Sequence, residues 1–220
     1  MIDLPDPARR WDYENGFYLT CEPSRLAKML AHYELFRQVA HLPGALVECG
    51  VFKGASLSRF AIYRQLLGAS ESRPIIGFDT FGAFPQTQFA PDVPARQRFI
   101  TSAGEQSISR EQLAENLRAR GLDQNVHLVE GDICQTVPAY VQEHPELRIA
   151  LLNLDTDIYE PAAVILRHLF PRLVSGGILL IDDYGVFPGE TRAVDGYFAA
   201  APRRIERLPF AATPCFIRKP

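Results

Sequence analysis

Apolar positions along this chain recur in two alternating rhythms. From Pro23 onward Leu26, Met29, Leu30, Tyr33, Phe36 and Ala40 return at three- and four-residue steps. Proline sits at the first turn and Pro43-Gly44 forms a stop, so an amphipathic helix is predicted. The rhythm then shortens. Ala45-Leu46-Val47-Glu48-Cys49 is a short apolar run ending at Gly50, and Gly54 opens a stretch with Leu57, Phe60, Ala61 and Leu66 at helical spacing. The same alternation continues: a strand over 74–79, a helix over 109–120 with Ser109 and Gln112 as a capping box, and a strand over 125–129. A short helix near 137–142, a strand over 148–154, a helix from about 159 to 173 and a strand over 177–181 complete it. Five strands alternating with helices predict an α/β fold with a doubly wound, mostly parallel sheet, because parallel neighbours need crossover connections.

Three stretches depart from that rhythm. Residues 1–20 carry Trp11, Tyr13, Phe17 and Tyr18 without a clear period and read as an arm that packs on the core. The stretch 80–107 holds Gly82, Pro85, Pro91 and Pro94 with no sustained period, the mark of a lid or binding loop in a compact domain. After a helix near 191–200, the β-like runs 204–208 and 214–217 are separated by five residues and predict a closing hairpin. The resulting plan is an arm and helix over 1–43 packed on a core over 44–220, with the lid at about 80–107.

Composition narrows the class. A chain of 220 residues with 47% hydrophobic and 22% charged side chains suits one globular domain and excludes disordered, collagen-like and disulfide-scaffold proteins. A net charge of −3 offers no basic surface for nucleic acid or an anionic membrane, which leaves a small molecule as the expected partner. Cys21, Cys49, Cys134 and Cys215 show no C-x-x-C pairing and read as reduced thiols. The opening residues lack a cationic and apolar leader, and no apolar run approaches ~18 residues, so the expected location is cytoplasmic. The sequence leaves a homo-oligomer open.

In doubly wound sheets ligands lie outside the carboxyl ends of the strands. The first strand ends in E-x-G-x-x-x-G, with Glu48, Gly50 and Gly54, and Ser56 follows one turn into the helix. Glycines there let a backbone approach a ligand or simply make a tight turn, and the helix start offers free amides. The spacing is not the G-x-G-x-x-G dinucleotide fingerprint. Asp79 closes the second strand and suits either a ribose diol or a turn cap; Gly131-Asp132 closes the third and suits either an adenine edge or a plain turn. Asp155-Thr156-Asp157 closes the fourth and Asp182-Asp183 the fifth. Four carboxylates on one sheet edge repel one another unless a cation offsets them, and all-oxygen ligation favours Mg²⁺, Mn²⁺ or Ca²⁺. In regular strand geometry Asp155 and Asp157 would point to the same side about 7 Å apart. No G-x-S-x-G elbow or Walker A sequence occurs, and the five histidines form no H-x-x-x-H pair.

Four segments together resemble the macrocin O-methyltransferase family: Glu48 to Gly54, Gly77-Phe78-Asp79-Thr80-Phe81 with Phe84-Pro85, Leu154 to Glu160, and Gly176-Gly177-Ile178 through Asp182-Asp183-Tyr184. The resemblance runs from about residue 12 to 200. It implies a class I methyltransferase fold (Rossmann-like) with an antiparallel last strand, S-adenosylmethionine and Mg²⁺ as cofactors, and a hydroxyl acceptor such as a sugar or vicinal diol. It further implies Glu48, Gly50 and Ser56 beside the methionine part of the cofactor, Asp79 on the ribose, and Gly131 and Asp132 near adenine. Asp155, Asp182 and Asp183 match metal carboxylates and Asp157 the general base. The residues alone also admit a metal-dependent phosphoryl or ester hydrolase and a non-catalytic binding protein; a nicotinamide oxidoreductase, lacking its fingerprint, comes last.

Overall fold

A computed structural model describes residues 2–68 and 73–220. Its elements in chain order are α1 (Arg10–Thr20), α2 (Pro23–Val39), β1 (Ala45–Cys49), α3 (Ala55–Leu66), β2 (Ile75–Asp79), α4 (Asp92–Ala103), α5 (Arg110–Ala119) and β3 (Val126–Glu130). There follow α6 (Ile133–Glu143), β4 (Ile149–Leu154), α7 (Tyr159–His168), β5 (Leu173–Ile181), α8 (Pro188–Phe198), β6 (Glu206–Arg207) and β7 (Cys215–Arg218). The strands form one sheet in the order β3-β2-β1-β4-β5-β7-β6. β1 to β5 run parallel, whereas β7 is antiparallel to β5 and β6, the hairpin that the tail predicts.

The central strands are buried on both faces, which is why their sequences read as near-continuous apolar runs. Val47, Cys49, Leu152 and Leu154 point into a core shared with α6, α7 and α8. Leu46, Leu151 and Leu180 point into a second core built by α2, α3 and α5. Toward the carboxyl ends this second side turns polar, with Glu48, Asn153 and Asp182 all buried beneath α2 and α3. Among the described residues no helix is long and apolar enough to cross a membrane.

Several boundaries move for local reasons. The capping box on α5 forms as expected: Gln112 N donates to Ser109 Oγ and Ser109 N to Gln112 Oε1. The 80–107 stretch is not irregular throughout, for it contains the three-turn helix α4. Pro91 and Pro94 look like breakers in sequence, yet Pro94 falls in the first turn, where no intrahelical N–H bond is lost. Pro171 ends α7 early, and a 3-10 turn over Phe170–Arg172 replaces its last residues. The aromatic arm also differs from expectation: α1 buries none of its residues, and Trp11 is 64% exposed. The core contact of this arm comes instead from Ile2, whose carbonyl accepts a bond from Gln112 Nε2 at 2.7 Å.

Candidate active site

A cavity of about 820 Å³ opens at the carboxyl edge of the sheet, bounded by the loops after β1, β2, β4 and β5, the 80–107 segment and the start of α6. Its floor depends on Gly50. At φ +91° a glycine is the residue that fits, and a Cβ there would stand 1.7 Å from the carbonyl oxygen of Asp155. Gly50 therefore lets β1 and β4 stay in register one residue past their ends, with Asp155 N donating to Cys49 O at 3.0 Å. The backbone approach read from the sequence is to the neighbouring strand.

Asp79 ties the next two loops together. Its Oδ2 accepts from Val51 N at 2.8 Å and Phe52 N at 3.0 Å; its Oδ1 accepts from Phe81 N at 2.7 Å and Ser107 Oγ at 2.9 Å. With Thr80 Oγ1 at 3.4 Å from Oδ1, five donors converge on one carboxylate, so the tie is internal and preorganised. Asp132 caps α6, accepting from Cys134 N at 2.9 Å, and also lines the cavity. Of the other residues expected at a cofactor, Ser56 lines the cavity, whereas Gly54 and Gly131 do not. Glu48 lies outside the lining, fully buried. Burial pushes its carboxyl up to about 8, although Ser56, Arg59 and Asn153 pull the other way. One Glu48 oxygen accepts from Asn153 Nδ2 at 3.3 Å and the other has no partner.

The acids regroup relative to expectation. β4 ends at Leu154 and the chain turns at Asp157, whose φ is +64°, instead of continuing as a strand. That turn brings Asp155, Asp157 and Asp183 together, each offering a carboxylate oxygen, all within 4.8 Å of one another. Asp182 is not in this group. β5 ends at Ile181, and Asp182 turns to the opposite side, where it pairs with Lys28 Nζ and faces His32 Nε2 at 3.6 Å. Burial raises the Asp155 and Asp157 carboxyls well above the usual range, and their acidic neighbours raise them further. Asp183 is raised by the same causes, but a hydrogen bond with Asp157 opposes them. Burial works against ionised Asp182 too, yet Lys28 and His32 outweigh it and hold Asp182 below the ordinary carboxylate range.

Other residues at the site escape a reading of strand ends. Lys28 and His32, one turn apart on α2, place polar groups inside an otherwise apolar stripe, the only signal they leave in the sequence. His32 is buried, stacked on Phe60, and receives Arg59 Nη1 on Nδ1 at 3.0 Å. Glu190, buried on α8, accepts from Asp183 N at 2.8 Å. Asp92, buried at the start of α4, accepts from Tyr159 N at 2.9 Å and Gly189 N at 2.7 Å, which anchors the 80–107 segment to the helices that follow both acidic loops. Phe99 of α4 contacts Phe52, Phe84 and Phe187, and these rings line the same cavity as the acids.

A parallel sheet in this order, closed by an antiparallel strand and carrying its cavity at the carboxyl edge, is the class I methyltransferase fold. The solved calicheamicin methyltransferase CalS11 superposes with a TM-score of 0.78 at 30% identity, covering 97% of this chain and 86% of that one. A second CalS11 structure, named a TDP-rhamnose 3'-O-methyltransferase, gives 0.69 at 29% identity over 97% and 87%. The chain belongs to the macrocin O-methyltransferase (TylF) family, whose sequence profile matches residues 21–207. Among curated relatives, an 8-demethyl-8-(2,3-dimethoxy-alpha-L-rhamnosyl)-tetracenomycin-C 4'-O-methyltransferase of Streptomyces olivaceus is 31% identical over 147 residues, 66% of this chain and 54% of that protein. Demethyldecarbamoylnovobiocin O-methyltransferase of Streptomyces niveus is 30% identical over 165 residues, 72% and 60%. The chain thus spans little more than half the length of these relatives.

Proposed function

We propose that this protein is an S-adenosylmethionine-dependent O-methyltransferase that acts, with Mg²⁺, on a hydroxyl of a small natural-product acceptor, a sugar or vicinal diol. The observation that carries the reading is the three-carboxylate group of Asp155, Asp157 and Asp183 at the mouth of the cavity in a chain of this family. An all-oxygen set this compact suits a hard divalent cation. The acceptor class rests on the relatives, two of which are named for rhamnose-containing substrates.

When bound, Mg²⁺ lowers the cost of ionising a hydroxyl and S-adenosylmethionine supplies an electrophilic methyl group. Asp155 and Asp183 are the residues to hold the ion. Asp157 is the proton acceptor: its carboxylate stands within 4.8 Å of the Asp155 and Asp183 oxygens, beside the ion they would hold, and it matches the base that the family resemblance implies. Asp182 belongs behind them, fixed on Lys28 and His32, in place of the direct ligand role that the family pattern suggests. Gly50, Ser56 and Asp132 border the space for the cofactor, and Asp79 shapes it by holding the Val51 and Phe52 amides. Phe52, Phe84, Phe99 and Phe187 supply the apolar part of the same lining.

Calorimetry with S-adenosylmethionine and with Mg²⁺, each alone and then together, tests the class. Binding of both is expected. A protein that takes Mg²⁺ but not the sulfonium would be a metal-dependent hydrolase, and one that takes neither would be a non-catalytic binding module.

A further inference from the structure

The acidic site contains its own cation. Among the described residues, Lys28 is the only lysine or arginine within 4 Å of any carboxylate of Asp155, Asp157, Asp182 and Asp183. Its ammonium pairs with Asp182 Oδ2 and stands 3.9 Å from Asp155 Oδ2, so it touches the cluster from the α2 side. His32 cannot act as a second positive charge there. The Arg59 guanidinium donates to its Nδ1, so the single ring proton sits on Nε2 facing Asp182 Oδ1, and the imidazole is neutral. Within 4 Å one ammonium thus stands against four carboxylates, with Arg25 acting on Asp183 from farther off.

We infer that Lys28 is the built-in counter-cation of the acidic site and sets its affinity for a divalent metal ion. The inference rests on the reading that Asp155 and Asp183 hold such an ion. Asp155 faces the ammonium on one side and the remaining acids on the other, so metal and lysine compete for the same carboxylate, and two cations a few ångströms apart in a half-buried site repel strongly. A fixed lysine weakens metal binding but keeps Asp182 ionised, in place, and out of the ligand set. The same arrangement explains why two adjacent aspartates at a strand end part company.

Mn²⁺ titration of the full chain, read by electron paramagnetic resonance of the free ion, tests the inference without reference to turnover. Lys28→Met removes the charge at nearly constant length and is expected to bind Mn²⁺ about tenfold tighter or more. Lys28→Arg keeps the charge and is expected to stay within about twofold of the parent. Lys28→Gln, which retains a donor for Asp182, asks the same question should the methionine variant fail to fold. Asp155→Asn is expected to lose most of the Mn²⁺ affinity. Equal or weaker binding in both neutral variants, or the same tightening in Lys28→Arg, overturns the role of Lys28 while leaving the metal reading intact. If Mn²⁺ binds neither the parent nor the neutral variants, or binds Asp155→Asn as well as the parent, the metal reading falls and the inference with it.

Discussion

The two halves of the sheet edge solve opposite problems. Around β1 and β2 the polar groups that tie the loops are partnered: Asp79 collects five donors, and Asp132 caps the helix it precedes. Around β4 and β5 the carboxylates crowd one another: Asp155, Asp157 and Asp183 have raised proton affinities, and among the described residues Lys28 is the one ammonium or guanidinium within 4 Å of the group. A satisfied half is rigid before any ligand arrives, as a surface that binds an extended cofactor should be. The unsatisfied half stores repulsion that a cation and a proton transfer can use. Its cost is tolerated because Asp92 and Glu190 pin the surrounding backbone from α4 and α8.

The contrast breaks most sharply at Asp157. Asp157→Asn keeps the shape but removes the proposed proton acceptor, so turnover should fall by ~10²–10⁴-fold, the usual yield of general acid–base catalysis, with S-adenosylmethionine affinity unchanged. Single-turnover rates beside calorimetric affinities decide the matter; a variant that loses cofactor affinity and not rate would move Asp157 out of the chemistry. In the satisfied half the opposite signature is expected. Asp79→Ala leaves the Val51, Phe52 and Phe81 amides without their acceptor and should cost on the order of 2–3 kcal/mol of stability in urea, cofactor or none. Were stability unaltered and only cofactor affinity reduced, Asp79 would be a ribose ligand first and a loop tie second.

That difference also marks what the sequence makes legible. β1, β2, β4 and β5 announce themselves because strands buried on both faces must be apolar runs, and the acidic residues closing them are visible as interruptions; β3, at the sheet edge and partly exposed, shows only through Val126, Leu128 and Val129. In the closing hairpin only β7, with Cys215-Phe216-Ile217, is such a buried run; β6 is the polar pair Glu206–Arg207. What the pattern hides is the path of the chain beyond each strand. Asp155, Asp157, Asp182 and Asp183 were countable, but their division depends on a left-handed turn at Asp157 and on which side Asp182 takes. Partners from remote elements, Lys28 at 154 residues from Asp182 and Asp92 at 97 from Gly189, leave no local period at all. α4 was obscured by prolines whose position inside the first turn decides their effect.

The finest probe of the boundary between the halves lies at Glu48. This carboxyl sits beneath the cavity between Ser56 on the cofactor side and Asn153 on the acid side, and burial raises it from about 4.5 to about 8. The folded chain therefore holds a proton on Glu48 across a window in which the unfolded chain has released it. Since stability falls with rising pH wherever the native state binds more protons, this residue should lower stability as pH rises from 4.5 to 8, by up to about 1.4 kcal/mol per pH unit. Glu48→Gln keeps the shape and a neutral polar group, so its urea stability should lose that slope while Asp155, Asp157 and Glu190 continue to titrate in both proteins. The difference between variant and parent should thus grow in favour of glutamine between pH 5 and 8 and level off above it. Parallel stability curves would mean that Glu48 is ionised in the folded protein, held by Arg59, and that the charge of the acidic half extends under the cofactor floor.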